Sequence, residues 1–271
     1  METDKIIRLG AFLGVFAILA TAEVFAPRRR LRTSKSRRWF ANLAIVALNP
    51  VSVALVYPVL PVGVALLASE QGWGLLNQWA LPYGLEILIG VVALDFAVYV
   101  QHVLHHAIPV LWRLHMMHHA DLDIDMTTGL RFHPIEIMVS MAIKLSAVAA
   151  LGAPPLAVLI FELALNATSM FNHSNIRLPE KVDRVLRLIV VTPDMHRVHH
   201  SVIIRETNSN YGFNLPWWDR LLGTYKAQPA KGHTEMVIGL SQFRDPQKLT
   251  LLRLLVMPFV GDPGRVPINR H

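Results

Sequence analysis

Four apolar stretches divide the chain, and each is long enough to cross a bilayer as a helix. The first covers residues 6–26, and the second, residues 39–68, contains no formal charge. The third covers residues 81–100, and the fourth, residues 135–171, is too long for a single span. Because about 20 apolar residues in helical form cross the hydrocarbon core, these stretches predict an all-α, multi-pass membrane bundle.

Proline and glycine indicate where two of these stretches are interrupted. The second contains three prolines, at 50, 58 and 61, which favours either a kinked span or a span followed by a re-entrant piece. The fourth contains Gly-Ala-Pro-Pro at residues 152–155, a strong turn signal. We therefore expect a helical hairpin here and about four to five spans in total.

Two charged residues lie inside the expected hairpin, at about equal distances from its turn. They are Lys144 and Glu162. A lone charge within a membrane is costly. The sequence therefore predicts an ion pair between them across the hairpin, with a packing role favoured over a chemical one.

Basic residues are concentrated beside the first span. The chain has 26 Lys and Arg against 19 Asp and Glu, a formal net charge of +7. Residues 28–38 hold seven of the basic residues and no acidic residue. Such a cluster marks the cytoplasmic side of a membrane protein, and it lacks the interleaved aromatic residues of a nucleic-acid surface. Counting spans from it places both histidine-rich regions, 102–133 and 173–200, on the cytoplasmic face.

Histidines provide the candidate metal ligands, because the chain contains no cysteine. That absence excludes disulfides, thiolate metal sites and cysteine-ligated iron–sulfur clusters. Of the 13 histidines, those in three groups have spacings of three or four residues, which share one helix face. The groups are His102 with His106, His115 with His118 and His119, and His196 with His199 and His200. By the same argument His105, His233 and His271 are expected to be incidental.

Eight imidazoles are too many for one metal ion, which takes three or four protein ligands at a zinc site. Two ions with open coordination positions fit the number better. Imidazole suits iron, zinc, copper and nickel, and two open imidazole sites indicate redox iron and oxygen chemistry. Asp95 and Tyr99 share a helix face with His102 and His106. Asp95 is therefore expected either to hydrogen-bond a ligand histidine or to join two helices.

The segments around these groups carry a resemblance to a known family. They are DFAVYVQHVLHHAIPVLWRLHMMHHAD, TTGLRFHPIE, FNHSNIRLP, TPDMHRVHHS, ETNSNYG and WWDRLLGTY. Over about residues 85–226, their order and spacing resemble the fatty acid hydroxylase / sterol desaturase superfamily. The resemblance implies a membrane bundle with a cytosolic helical cap that holds two iron ions in a non-haem centre. It also implies O2-dependent hydroxylation, desaturation or oxidative cleavage of a lipid such as a sterol or fatty acyl chain.

The resemblance assigns roles to individual residues. The eight grouped histidines match the ligand positions of the family, and His173 in FNHSN matches a ninth. Some members have a second histidine at the position of Ser169, so Asn172 or a water is expected to fill that place. His133 is either a further ligand or a residue on the substrate side. Asp194 and Asp219 are expected to hydrogen-bond the ligands from outside. Asp121, Asp123 and Asp125 are either further outer partners or, as we expect, part of a solvated loop.

Three segments follow from these patterns. Residues 1–80 form the N-terminal spans with the basic cytoplasmic loop, and residues 81–226 form the catalytic core. Residues 227–271 form a cytosolic or interfacial tail, in which the apolar run at 247–260 is a membrane-surface or cap-packing helix.

A lipid substrate would enter from the bilayer between helices, near the hairpin and the third span. Five apolar residues beside the histidine groups are expected either to line that route or to pack in the core: Met116, Met117, Phe132, Met170 and Phe171. No dinucleotide or ATP-binding motif is present, so electrons would come from a separate donor protein that docks on the basic cytoplasmic face.

Two other functions compete with a lipid oxygenase. One is a non-enzymatic, histidine-rich membrane metal carrier or sensor. Transporters place their sites at mid-membrane depth, whereas these groups follow the span ends. The other is a zinc-dependent membrane hydrolase, which would place a carboxylate inside a histidine group, as in HExxH. None of the three groups contains one.

Overall fold

The structure is a computed structural model that describes residues 2–266, so His271 lies outside the described residues. Secondary structure in this part of the chain is helical. The longer helices are α1 (Glu2–Phe25), α2 (Lys35–Val56), α3 (Pro61–Gln71), α4 (Tyr83–Ala107), α5 (Pro109–His119), α6 (Pro134–Leu151) and α7 (Pro155–His173). Shorter ones follow: α8 (Glu180–Leu186), α9 (Pro193–His199), α10 (Ile204–Thr207), α11 (Trp217–Leu221), α12 (Gly232–Glu235) and α13 (Leu251–Val260).

Five segments are long and apolar enough to cross a membrane, which confirms the predicted multi-pass helical bundle. They are Asp4–Phe25, Lys35–Gln78, Tyr83–Ala107, Pro134–Leu151 and Pro155–His173. The second of them combines α2, α3 and a short 3₁₀ turn. It breaks where Tyr57 and Leu60 have extended backbone and Pro61 opens α3. The second apolar stretch therefore forms a 22-residue helix, α2, followed by the 11-residue helix α3. Pro50 lies within α2 and does not end it.

The predicted hairpin is formed by α6 and α7. Gly152 ends α6 in the left-handed region, with φ of 64°, and Pro155 begins α7. The loop before α4 packs so closely on this turn that a Cβ atom at Gly74 would lie 2.1 Å from the Gly152 nitrogen. The predicted ion pair is confirmed, with 3.0 Å between Lys144 Nζ and Glu162 Oε1.

The basic segment at residues 28–38 packs against the loop that follows α5. The Arg38 guanidinium lies 2.7 Å from carboxylate oxygens of both Asp121 and Asp125. Asp123 accepts hydrogen bonds from the backbone nitrogens of Arg32 and Thr33, each at 2.8 Å. The prediction of a solvated acidic loop is therefore wrong, because all three aspartates are buried and compensated by the basic segment.

These contacts fix the charge state of the loop. Although burial favours the neutral acid, the positive charges of Arg38 and Arg131 lower the pKa of Asp121 to about 2. Arg131 also donates to the Met117 carbonyl in α5 at 3.0 Å. The loop is thereby tied to the helix that carries three of the candidate ligands.

Helix α13 packs against α5 through an apolar cluster that includes Trp112, Met116, Leu254 and Met257. Its opposite side exposes Leu252 and Phe259. The apolar run at residues 247–260 was expected to form either a membrane-surface helix or a helix packed on the cap. Its packing against α5 matches the second alternative.

Candidate metal centre

Nine buried histidines form two groups in the interior. In each group, one possible ligand atom per residue lies within 4.8 Å of every other. The five-histidine group contains His102, His106, His115, His119 and His199. The four-histidine group contains His118, His173, His196 and His200. All nine histidines named from the sequence are therefore brought together, in a form suited to two metal ions.

Two short helices contribute to both groups. On α5, His115 and His119 face the five-histidine group, whereas His118 faces the other. On α9, His199 belongs to the first group, and His196 belongs to the second together with the following His200. A one-residue step turns a helical side chain by about 100°. Adjacent histidines therefore point to different groups, and α5 and α9 each supply ligands to both of them.

Capping and proline fix where α9 begins. The Thr192 hydroxyl accepts a hydrogen bond from the backbone nitrogen of Met195, and Pro193 occupies the first turn. Proline is preorganised for that position because its fixed φ is helical and its missing N–H would be unsatisfied there. The start of the helix sets the direction in which His196 and His199 leave it.

Hydrogen bonds from the protein define the tautomers in the five-histidine group. His102 Nδ1 lies 2.7 Å from the Tyr211 carbonyl oxygen, and His199 Nδ1 lies 2.8 Å from that of Ser209. Carbonyl oxygens only accept hydrogen bonds, so each Nδ1 carries the proton and donates. The Nε2 atom of each ring is then unprotonated and free to bind a metal.

The Nε2 atoms of several rings approach one another closely. Nε2 of His115 lies 3.2 Å from Nε2 of both His102 and His119. In the second group, Nε2 of His173 lies 3.1 Å from Nε2 of both His118 and His196. Since Nδ1 of His102 and of His115 each faces a protein acceptor, both Nε2 atoms carry lone pairs. These lone pairs repel each other, and a cation between them removes that repulsion. The donor set therefore fits metal ions.

Burial keeps these rings neutral, as ligands must be. It lowers the pKa of His115 and of His199 to about 3. The pKa of His118 is also lowered by burial and by the neighbouring rings of His200 and His173. Neutral imidazole is the metal-binding form.

The sequence did not identify Glu136, which accepts a hydrogen bond from His115 Nδ1 at 2.6 Å. Its carboxylate is 3% exposed, and its second oxygen has no hydrogen-bond partner among the described residues. Asn208 was also missed; its side-chain oxygen lies 3.2 Å from His106 Nδ1. The available signal for Glu136 was a carboxylate in the first turn of a largely apolar helix, directly after the RFHP segment.

Among the described residues, none of the three predicted outer aspartates hydrogen-bonds a ligand ring directly. Asp219 accepts from the backbone nitrogens of Tyr211 and Gly212 at 2.8 and 2.9 Å. It thereby positions the Tyr211 carbonyl that holds His102. Asp95 accepts from Trp218 Nε1 at 2.7 Å, which matches the helix-joining alternative.

Asp194 stabilises the helix that carries the third histidine group. It forms ion pairs with Arg28, at 3.0 Å, and with Arg197. Arg197 is fully buried between His196 and His199 on α9. The carboxylate compensates that buried charge, and its described hydrogen bonds go to these arginines instead of to a ligand ring.

The remaining polar candidates lie beside the two groups. His133 caps α6 by accepting from the Ile135 nitrogen, and its other ring nitrogen lies 3.0 Å from the Leu255 carbonyl. It belongs to neither histidine group. Asn172 donates to the Phe213 carbonyl at 3.0 Å, and its buried side-chain oxygen has no partner among the described residues. His105 donates to the Gln101 carbonyl and also lies outside both groups.

A cavity of about 920 Å³ connects the five-histidine group to the membrane helices. At one end it is lined by His102, His105, His115 and Glu136, and its walls come from α1, α2, α3, α4, α6 and α7. Phe132 lines it and stacks on His118, with ring centroids 4.5 Å apart. Met116, Met117 and Met170 are fully buried in apolar clusters, which matches the core-packing alternative for them.

Comparison with known proteins identifies the group to which this arrangement belongs. Residues 87–224 match the fatty acid hydroxylase family model. The chain is also 31% identical over 237 residues to the ornithine lipid hydroxylase of Rhizobium tropici, which covers 84% of this chain and 69% of that protein. The chain belongs to the fatty acid hydroxylase family. Its members are lipid hydroxylases and monooxygenases, and the chain is thus an oxidoreductase of this kind.

Two further relatives match this chain over shorter lengths. Human alkylglycerol monooxygenase is 31% identical over 143 residues, which are 52% of this chain and 30% of that protein. Rat cholesterol 25-hydroxylase is 26% identical over 146 residues, or 53% of this chain and 48% of that protein. The chain therefore spans less than half the length of these two relatives. No solved structure matches this one significantly.

Proposed function

We propose that this protein is a membrane-bound, O2-dependent di-iron hydroxylase of a lipid, with one iron in each histidine group. The observation that carries the proposal is the contact between an apolar cavity of about 920 Å³ and a buried set of neutral imidazoles. Bound iron would supply the oxidation of an unactivated C–H bond, which no side-chain acid or base can achieve.

The nine grouped histidines would hold the metal ions, and other residues would orient the rings. Glu136 and the Tyr211 and Ser209 carbonyls fix Nδ1 protons, which directs Nε2 toward the metal positions. Outer partners of this kind raise ligand basicity and typically contribute 10–100-fold in metal affinity. Asp219 does not contact a ligand ring. It accepts from the backbone nitrogen of Tyr211 and so positions the carbonyl that holds His102.

The cavity walls would bind the lipid chain and keep water away from the metals. Helices α1 and α2 contact each other close to the start of α2, where the rings of Phe16 and Trp39 are 5.6 Å apart. Toward the other end, the cavity is lined by Leu9 and Phe12 of α1 and by Val53 of α2. A lipid would enter laterally between these two helices.

The names of the relatives favour hydroxylation over desaturation. The relatives described above are named as hydroxylases of ornithine lipid and of cholesterol and as a monooxygenase of alkylglycerol. A polar lipid or a sterol is therefore the class of substrate that we propose, with residues 81–226 as the catalytic core.

The histidine groups would face the cytoplasm, since the basic segment at residues 28–38 follows the first span. Three arginines of this segment are exposed: Arg30, Arg32 and Arg37. Arg38, by contrast, is buried in ion pairs with Asp121 and Asp125. These exposed residues offer a surface to a separate, acidic electron-donor protein.

Metal and lipid analysis together test the proposal. Protein purified from a membrane fraction is assayed for metals, and lipids from cells with and without it are compared by mass spectrometry under labelled O2. We expect two irons per chain and a lipid product that carries labelled oxygen. A single zinc with no O2 consumption would support a hydrolase instead, and bound metal without any altered lipid would support a carrier or sensor.

A further inference from the structure

The end of the cavity away from the histidines is charged. Four ionisable side chains line it: Asp4 and Arg8 from α1, Lys144 from α6 and Glu162 from α7. Arg8 lies 3.0 Å from Asp4 Oδ2 and 2.9 Å from Glu162 Oε2, and Lys144 lies 3.0 Å from Glu162 Oε1. We call these four residues the charged cluster. Its two positive and two negative charges balance.

The charged cluster and the five-histidine group occupy opposite ends of one space. Glu136 and Lys144 both line the cavity from α6, and they are eight residues apart. At 1.5 Å per residue, this separation is about 12 Å along the helix axis. Between them the cavity wall includes Ile137, Met141 and Leu165. Ser140 and Gln101 also line this part, but they hydrogen-bond each other at 2.7 Å. The cavity is therefore polar at both ends and mainly apolar between them, as an amphipathic ligand requires.

The charged cluster has more hydrogen-bonding capacity than its internal contacts use. Asp4 Oδ1 is buried and has no partner among the described residues. Lys144 carries three N–H donors, and its one hydrogen bond among the described residues goes to Glu162. Lys144 and Glu162 alone would neutralise each other. Arg8 and Asp4 add two further charges within a span, where unpaired polar groups are expensive.

We propose that the charged cluster binds the zwitterionic polar group of the lipid that occupies this cavity. The anionic part of such a group would accept from Lys144 and Arg8, and its cationic part would pair with Asp4 Oδ1. Because the cluster is itself neutral, a head group with a net charge would leave one buried charge uncompensated. The lipid chain would then extend toward the histidines. This inference rests on the proposed function and narrows its substrate class.

The test measures binding, so that it does not depend on turnover. Purified protein in maltoside detergent is titrated with myristoyl lysophosphatidylcholine, myristate and tetradecylamine, and bound lipid is counted by native mass spectrometry. The three probes are zwitterionic, anionic and cationic and share one chain length. We expect the zwitterion to bind on the order of tenfold more tightly than either of the others. Equal binding of all three would overturn the proposal.

Variants separate recognition from helix packing. Lys144→Met and Asp4→Asn should each remove the preference for the zwitterion while the metal content stays unchanged. Glu86→Gln is the control, because Glu86 is also a carboxylate within a span but does not line the cavity. If Lys144→Met keeps the preference, the cluster does not recognise the lipid.

A charge-exchange variant covers the case in which single variants unfold. Lys144→Glu combined with Glu162→Lys keeps an ion pair between α6 and α7 but reverses its polarity toward Arg8 and Asp4. Because the new lysine would face Arg8, we expect a melting temperature above that of Lys144→Glu alone but below that of the native protein, without the zwitterion preference. Retention of the preference would show a purely structural role for the cluster. Selective binding by protein that contains no iron would contradict the proposed function while leaving this inference intact.

Discussion

The two histidine groups are built from the same residue type but are held differently. In the five-histidine group, Nδ1 of four rings lies next to a protein acceptor: Tyr211, Asn208, Glu136 and Ser209 provide them. In the four-histidine group, His173 is held in this way by the Ser169 carbonyl. Nδ1 of His118, His196 and His200 has no hydrogen-bond partner among the described residues.

The two groups also differ in their surroundings. His102 and His115 of the five-histidine group line the cavity, and within the described residues the four-histidine group contributes none of its members to that lining. The group with more hydrogen-bonded rings is therefore the one that faces the cavity. Fixed tautomers and ring orientations reduce the reorganisation needed at the site where positioning matters most. The following predictions test whether this difference has functional consequences.

The largest effects are expected from removing a ring. His196→Ala leaves three histidines in one group, whereas His199→Ala leaves four in the other. Both should lower turnover more than about 100-fold, because loss of outer partners alone costs 10–100-fold in such sites. Metal analysis should show that His196→Ala loses half of the metal and that His199→Ala retains more. His233→Ala is the control, because His233 is a buried histidine that lies outside both groups and does not line the cavity. Equal metal loss in the two variants would show that the fifth ring adds nothing.

Asp121→Asn should weaken both groups together, because Asp121 anchors the loop after α5. Removal of one partner from a buried ion pair costs about 3–5 kcal/mol. Thermal denaturation should show a lower melting temperature, with metal lost from both groups in parallel. Asp245→Asn, which changes an exposed aspartate, should have no effect. Selective loss of one metal in Asp121→Asn would mean that the loop supports one group only.

The contribution of Asp121 should also depend on pH. Its pKa in the folded protein is about 2, below the ordinary value of 3.8. A lowered carboxyl pKa stabilises the folded state above the ordinary value and loses that effect as the pH falls through the folded-state value. The difference in unfolding free energy between the native protein and Asp121→Asn should therefore shrink as the pH falls from 3.8 to about 2. A constant difference over this interval would contradict the assignment.

Glu136→Gln should affect the five-histidine group selectively. Glutamine can still accept from His115 Nδ1 but lacks the negative charge that raises ligand basicity. We expect metal affinity to fall about tenfold, at the lower end of the range for outer partners. Competition with a chelator should show this decrease for one of the two metal ions. Glu86→Gln serves as the matched carboxylate control, and a decrease for both ions would remove the distinction between the groups.

The smallest effect is expected for Asn208→Ala. Asn208 accepts from His106 through a neutral amide at 3.2 Å, and such hydrogen bonds contribute about 1 kcal/mol. Metal affinity of the five-histidine group should fall about fivefold. The same chelator titration measures it. A loss as large as that of Glu136→Gln would show that the charge of Glu136 is unimportant.

Features that depend on local pattern could be predicted from the sequence. The apolar stretches became the spans, the Gly-Ala-Pro-Pro segment became the hairpin turn, and Lys144 pairs with Glu162. The histidine spacings identified eight of the nine residues that the fold gathers, and the family resemblance added His173. Each of these depends on neighbours within a few helical turns or on the cost of placing charge in a bilayer.

Predictions failed or stayed open where distant segments meet. The three aspartates after α5 looked solvated, because nothing near them in sequence shows that the basic segment at residues 28–38 covers them. Asp95 shares a helix face with two ligands, yet it pairs with Trp218 from a distant helix. Glu136 went unassigned because its partner His115 lies on another helix.

The sequence by itself determined the membrane class, the spans, the ligand type and the residues that could share a helix face. Hydrophobicity, charge cost and helical periodicity are properties of short segments, so they can be evaluated without a fold. Only the tertiary structure decided which rings meet, how nine histidines divide into five and four, and which group faces the cavity. Those outcomes depend on how α4, α5, α7 and α9 pack together, and contacts between helices distant in the chain set that packing.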